Sequence, residues 1–168
     1  MLEVIENCCS ISYLDMLKFA AVNSANWNLK YPIGMPFEDK HLKLDIIENE
    51  PVDKLLTGMA MGLLIQIYDK RSDLFYPEVS YCGISLKDRY RLDNKHIDHE
   101  HDMDYIKIVG LLNNNWNPKD GGAFVHGDEE IDMVPTNFVV FDPRVPHRAS
   151  QITTHEKRLG IDFTVKKK

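Results

Sequence analysis

A chain of 168 residues, 43% apolar and 10% aromatic, is long enough for one domain that buries about two thirds of its unfolded surface, so it needs neither disulfides nor a structural metal to fold. Its 20 basic and 26 acidic residues leave a formal charge of −6, which argues against a broad electrostatic footprint on nucleic acid or an anionic membrane. Cys8, Cys9 and Cys82 form neither a disulfide framework nor a zinc-ligand spacing, and they suit a reducing cytoplasm.

The opening residues lack the basic stretch of a signal peptide and carry acids where its apolar stretch would be, so secretion is not expected. Tyr13, Met16, Leu17 and Ala20 recur at helical spacing after Ser10-Ile11-Ser12, predicting a first helix. A loop around Pro32 to Pro36 then leads to Pro51, in the position of a first-turn proline before Val52, Leu55, Leu56 and Met59. The apolar run Leu55 to Tyr68 is shorter than the roughly 20 residues that span a bilayer, and it reads as a buried helix.

At about Tyr76 the pattern changes to short runs of period two separated by turn residues. Strands are predicted at Val79 to Leu86, Tyr105 to Leu112, Ala123 to His126, Asn137 to Phe141 and Arg158 to Val165, with turns at Asn113 to Gly122 and at Asp142-Pro143-Arg144. Helices first and strands afterwards imply an α+β, mainly β domain: residues 1–168 as one unit, with 1–75 supplying supporting helices and loops and 76–168 the β core. In the last strand Leu159, Ile161, Phe163 and Val165 share one face, which meets the helices. Arg158, Gly160, Asp162 and Thr164 share the other, which faces a polar cavity.

Three of the seven histidines, His96, His99 and His101, lie within one acid-rich stretch, DNKHIDHEHDMD. Residues two apart in a strand point the same way, so His96 and Asp98 can present an imidazole nitrogen and a carboxylate oxygen to one ion. His147, 49 positions after Asp98 and just beyond a clear strand and turn, supplies a third ligand. Two histidines and one carboxylate on one octahedral face leave three positions open, which suits non-haem iron(II). His99 and His101 have the same spacing but would leave the carboxylate position unfilled.

The stretch from Tyr90 to Val165 resembles the iron(II)/2-oxoglutarate-dependent oxygenase superfamily, and within it the prolyl-4-hydroxylase-like branch. The resemblance rests on Tyr90, His96-Ile97-Asp98, the apolar strand Ile108 to Asn113, Trp116 with Asp120-Gly121-Gly122, Phe138 to Phe141, His147, and Arg158 eleven positions later. It implies a double-stranded β-helix, a jelly-roll or cupin-like barrel, braced by the N-terminal helices. It makes His96, Asp98 and His147 ligands of iron(II) and makes Arg158 the partner of the far carboxylate of 2-oxoglutarate. Tyr90 adds a hydroxyl to that carboxylate, although it stands nearer the H-x-D than the family's tyrosine. The activity implied is that of a dioxygenase that uses O₂ and 2-oxoglutarate, with ascorbate as reductant, releases succinate and CO₂, and hydroxylates a peptidyl (prolyl) or small-molecule substrate.

Independently of the resemblance, a planar guanidinium takes a carboxylate by two parallel hydrogen bonds and stays charged when partly buried. The blander readings are a surface salt bridge between Arg158 and Glu156, hairpin chemistry for Gly121-Gly122, core packing or a place beside the substrate entrance for Trp116, and a turn-forming Asn113. Asp93, Glu100, Asp102 and Asp104 around the site favour a cationic or neutral substrate over an anionic one. Two other functions fit less of the sequence: a cupin-like metal barrel with redox-neutral chemistry, which has no use for Arg158, and a non-catalytic binding domain.

Overall fold

The computed structural model describes residues 1–30, 41–98 and 104–166. In chain order the elements are β1 (Leu2–Ile5), α1 (Ile11–Val22), β2 (Asn28–Lys30), β3 (His41–Glu48), β4 (Glu50–Pro51), α2 (Lys54–Lys70), β5 (Glu78–Lys87), β6 (Tyr105–Leu111), β7 (Phe124–His126), β8 (Glu129–Ile131), β9 (Phe138–Phe141), β10 (His147–Ala149) and β11 (Arg158–Lys166). The large antiparallel sheet runs β1-β9-β6-β11-β5-β3-β2, with β4 beside β3, and a second sheet runs β10-β7-β8. This is the mainly β, jelly-roll architecture expected of the chain, and all five predicted strands form within a residue or so of their expected bounds.

Alternation along the strands separates two apolar cores. Phe138 and Val140 of β9 join Ile108, Phe163, Val165 and the helices in the larger core, while Val139 and Phe141 join Leu111, Trp116, Phe124 and Ile152 in the smaller one. A strand buried on both faces reads as an unbroken apolar run, as FVVF does. On β11 the larger core takes Leu159, Ile161, Phe163 and Val165, the face the sequence assigns to the helices.

Four expectations for the N-terminal part need correction. Among the described residues four strands accompany the two α-helices, so the large sheet draws on both halves of the chain. The Leu42, Leu44, Ile46 alternation of β3 is obscured by Ile47, which follows a register shift against β5. Pro51 belongs to β4 opposite Ile47, and α2 starts only after Asp53, whose carboxylate accepts from the Leu56 N–H at 3.0 Å. The buried face of α1 is Leu14, Leu17 and Ala21, whereas Met16 is 57% exposed. The α2 helix is amphipathic rather than wholly buried: Leu56, Leu63, Leu64 and Ile67 pack inward, and Leu55 and Ile65 face solvent. The expected loop at Pro32 to Pro36 lies outside the described residues.

Candidate metal centre

The two sheets and the loop after β5 enclose a cavity of about 190 Å³, room for a small organic molecule beside an ion. Register across the large sheet fixes what enters it. Lys87 lies opposite Arg158, Lys43 opposite Ser85 and Ser85 opposite Gly160; further along come Gly83, Asp162 and Val109, then Tyr81, Thr164 and Lys107. Arg158 therefore enters from one end of β11 and Lys107 from beside the other.

His96 and His147 are an isolated antiparallel bridge in which each N–H donates to the other's carbonyl, at 3.0 and 2.9 Å. The Asp98 N–H donates to Pro143 O at 3.1 Å, within the turn that the Asp142 carboxylate closes by accepting from Arg144 N–H. Two backbone attachments thus hold the H-x-D segment against the strand that carries the third residue. One ligand atom from each of His96, Asp98 and His147 lies within 4.8 Å of the others. Asp98 Oδ1 is 3.5 Å from His96 Nε2, and Oδ2 is 3.3 Å from His147 Nε2.

Both rings are oriented by backbone carbonyls: His96 Nδ1 is 2.9 Å from Asn94 O, and His147 Nδ1 is 2.9 Å from Val145 O. A carbonyl only accepts, so Nδ1 donates to it and Nε2 is the nitrogen turned towards Asp98. Burial alone would raise the Asp98 carboxyl. The hydrogen bond with His147 and the charge and hydrogen bond of Lys107, whose Nζ is 2.6 Å from Oδ2, outweigh that and hold it well below the usual carboxylate range. Two imidazoles and an ionised carboxylate fit one face of an octahedral ion such as iron(II).

At the other end, Arg158 is buried and its Nε has no hydrogen-bond partner among the described residues. It is not paired with the exposed Glu156. Burial pulls the guanidinium down to about 10 against the opposing charge of Asp93. Gly122, at φ +71°, lies against its stem, and a Cβ there would come within 2.9 Å of Arg158 Cδ. This glycine therefore makes room for the arginine, beyond serving the turn. Lys87 and Arg91 both bond the Asp93 carboxylate.

Tyr90 is not brought to the cavity: it is 72% exposed and its hydroxyl accepts from Arg89 at 2.7 Å. The register explains this, because β5 ends at Lys87 and the chain turns at Asp88, whose carboxylate accepts from Tyr90 N–H. Trp116 packs in the smaller core and donates to Gly121 O. Asn113 clasps the start of β11, donating to Lys157 O and accepting from Leu159 N–H. Sequence reading did not single out Lys87, Arg91 and Lys107; the signal for Lys107 is a charged residue inside the apolar run YIKIVGLL. It also took Asp93 for a free negative charge. Among the described residues the cavity wall carries Lys43, Lys87, Arg91, Lys107, Arg148 and Arg158 against Asp93, Asp98 and Asp162, a cationic lining that reverses the expected preference. His99, Glu100, His101 and Asp102 lie outside the described residues.

No family model and no curated protein matches the sequence. Solved structures do match the fold. A prolyl-4-hydroxylase from Pseudomonas putida superposes with a TM-score of 0.70 at 19% identity, over 99% of this chain and 92% of the other. HygX from Streptomyces hygroscopicus, with nickel and 2-oxoglutarate bound, gives 0.71 at 12% identity, over 99% and 82%. An oxidoreductase of the 2OG-Fe(II) oxygenase family from Burkholderia pseudomallei gives 0.73 at 13%, over 98% and 84%. At these identities the likeness is one of fold, the double-stranded β-helix of 2-oxoglutarate oxygenases.

Proposed function

We propose that this chain is an iron(II)- and 2-oxoglutarate-dependent dioxygenase that hydroxylates a C–H bond of a peptidyl (prolyl) or small-molecule substrate. The observation that carries it is one cavity holding two imidazoles and a carboxylate within 4.8 Å of one another and, at its other end, a buried guanidinium with an N–H unpartnered among the described residues. His96, Asp98 and His147 would hold the metal, and Arg158 the far carboxylate of the cosubstrate. Iron(II), 2-oxoglutarate and O₂ together supply the oxidising chemistry, with release of succinate and CO₂ and with ascorbate keeping the metal reduced.

The protein's own contribution is geometric. The bridge between His96 and His147 holds the two imidazoles beside one another, and the Asn94 and Val145 carbonyls engage Nδ1 and leave Nε2 as the nitrogen that faces the metal position. Phe124 and Phe141 pack beside His147, with ring centroids 5.9 and 4.7 Å away, and shield that side of the site from water. Cys8, Cys9 and Cys82 are free thiols, in keeping with a cytoplasmic setting. No helix among the described residues is long and apolar enough to cross a membrane.

A second reading, a binding domain without turnover, rests on Lys107, whose ammonium occupies an oxygen of Asp98 that a metal would use. One assay separates the two. Purified protein is incubated with iron(II), ascorbate and labelled 2-oxoglutarate, with and without candidate peptides and small molecules. Labelled CO₂ and succinate are expected; no turnover together with no metal-dependent binding of 2-oxoglutarate would remove the oxygenase reading.

A further inference from the structure

The end of the cavity opposite the three clustered ligand residues holds more positive charge than its own residues neutralise. Lys87, Arg91 and Arg158 surround a single carboxylate, Asp93, and all four line the cavity. Their side chains are largely withdrawn from water: that of Asp93 is 5% exposed, that of Arg91 12% and that of Lys87 17%, and Arg158 as a residue is 6% exposed. Among the described residues, two N–H groups of the cluster, Arg158 Nε and Arg91 Nη1, are buried and find no partner. Leaving such donors unpaired is costly, and three buried cations around one anion repel one another, so the cluster is built for an acceptor that arrives with negative charge.

The backbone says where that charge would go. Lys87 and Arg158 are direct register partners on neighbouring strands, β5 and β11, so their side chains leave the sheet side by side on the cavity face. Beyond them Gly160 leaves the floor open between Arg158 and Ser85: a Cβ built there would be 3.4 Å from Arg158 Nη1 and 3.6 Å from Ser85 Oγ. Tyr90, the hydroxyl expected to share the carboxylate, is elsewhere. Arg91 is tied to Asp93, and Asp93 also holds the Lys87 ammonium, which keeps two donors free.

We propose that Lys87 is a second direct contact of the carboxylate that Arg158 receives, so that a Lys87–Arg158 pair, backed by Arg91 and Asp93, forms a carboxylate site that binds dicarboxylates even without metal. The site rests on the reading of Arg158 as the cosubstrate anchor but extends it in residue and in behaviour. Its depressed ammonium, held at about 8 by burial and by Arg91 and Arg158 against the pull of Asp93, is what a cation short of anionic partners shows. The expected consequence is selectivity for acids with a carboxylate at the far end.

The test uses the whole chain. Nickel(II)-loaded protein is titrated calorimetrically with 2-oxoglutarate and with 2-oxobutanoate, which lacks the far carboxylate, and EDTA-treated protein is titrated with glutarate. Lys87→Met is expected to weaken 2-oxoglutarate and glutarate about thirtyfold, to leave 2-oxobutanoate unchanged, and to be rescued in part by Lys87→Arg. An unchanged ratio of 2-oxoglutarate to 2-oxobutanoate affinity in a folded Lys87→Met protein overturns the proposal, as does wild-type protein that takes no glutarate in EDTA. A crystal structure of the wild type with nickel(II) and 2-oxoglutarate needs no variant: Lys87 Nζ is expected within about 3.2 Å of a carboxylate oxygen, and an ammonium well beyond that reach ends the idea. If glutarate binds through Lys87 but 2-oxoglutarate is never turned over, the oxygenase reading fails and the anion site stands. Turnover indifferent to Lys87 leaves the oxygenase and removes the second cation.

Discussion

His96 and His147 face one another across a two-residue antiparallel bridge, with N–H···O distances of 3.0 and 2.9 Å in the two directions. The bridge is made by backbone alone, so it survives replacement of either side chain. His147→Ala and Asp98→Asn are therefore expected to abolish iron binding and 2-oxoglutarate turnover while the circular dichroism spectrum stays that of the parent. Metal content after desalting checks this, and a variant that keeps stoichiometric iron would show that the residue is no ligand.

Gly122→Ala should reproduce the loss of Arg158 without touching it. The new methyl group is forced into a left-handed conformation at φ +71° and against Arg158 Cδ, so the guanidinium must shift. About 1 kcal/mol of stability should be lost, and the KM for 2-oxoglutarate should rise with kcat little changed. Arg158→Ala should raise the same KM further. Kinetics at saturating iron separate the two effects; a Gly122→Ala enzyme of normal KM would show that the glycine serves only its turn.

Stability should respond to pH through the Asp93 cluster in two windows. Burial would raise the Asp93 carboxyl, but Lys87 and Arg91 hold it well below its ordinary 3.8. A depressed carboxylate contributes stability that is complete above the unfolded value and is lost as pH falls from there through the folded one. Lys87 acts in the opposite range. It faces Asp93 and Arg91 from the loop after β5, Arg158 from β11, and His41 and Lys43 from the neighbouring β3, and it titrates at about 8 rather than 10.5. Between these values the unfolded chain binds the proton more tightly, so this group makes stability rise with pH. Urea melts of the wild type and Lys87→Met at pH 7 and pH 10 should show a gain in the wild type that the variant lacks.

Lys107→Met should strengthen metal binding. The ammonium holds Asp98 Oδ2 at 2.6 Å and, beside a bound divalent ion, opposes it by like charge. Removing it leaves the carboxylate to the metal alone. Competition with a chromogenic chelator measures the change; weaker binding in the variant would mean that the lysine instead fixes the carboxylate in its ligand orientation.

What the sequence by itself determined is local. The H-x-D spacing, the strand and turn before His147, and the alternation that puts Arg158, Gly160 and Asp162 on one face of β11 all follow from neighbours in the chain, because strand geometry repeats every two residues. Only the tertiary structure decided which faces meet. Lys87 reaches Arg158 through β5–β11 register across 71 positions, and Lys107 meets Asp98 because β6 lies on the other side of β11. Period two says that residues share a face, not what that face opposes. The same limit explains Tyr90, which lies past the end of β5 where alternation no longer applies, and Asp93, whose apparent negative charge is neutralised by two cations that only folding brings to it.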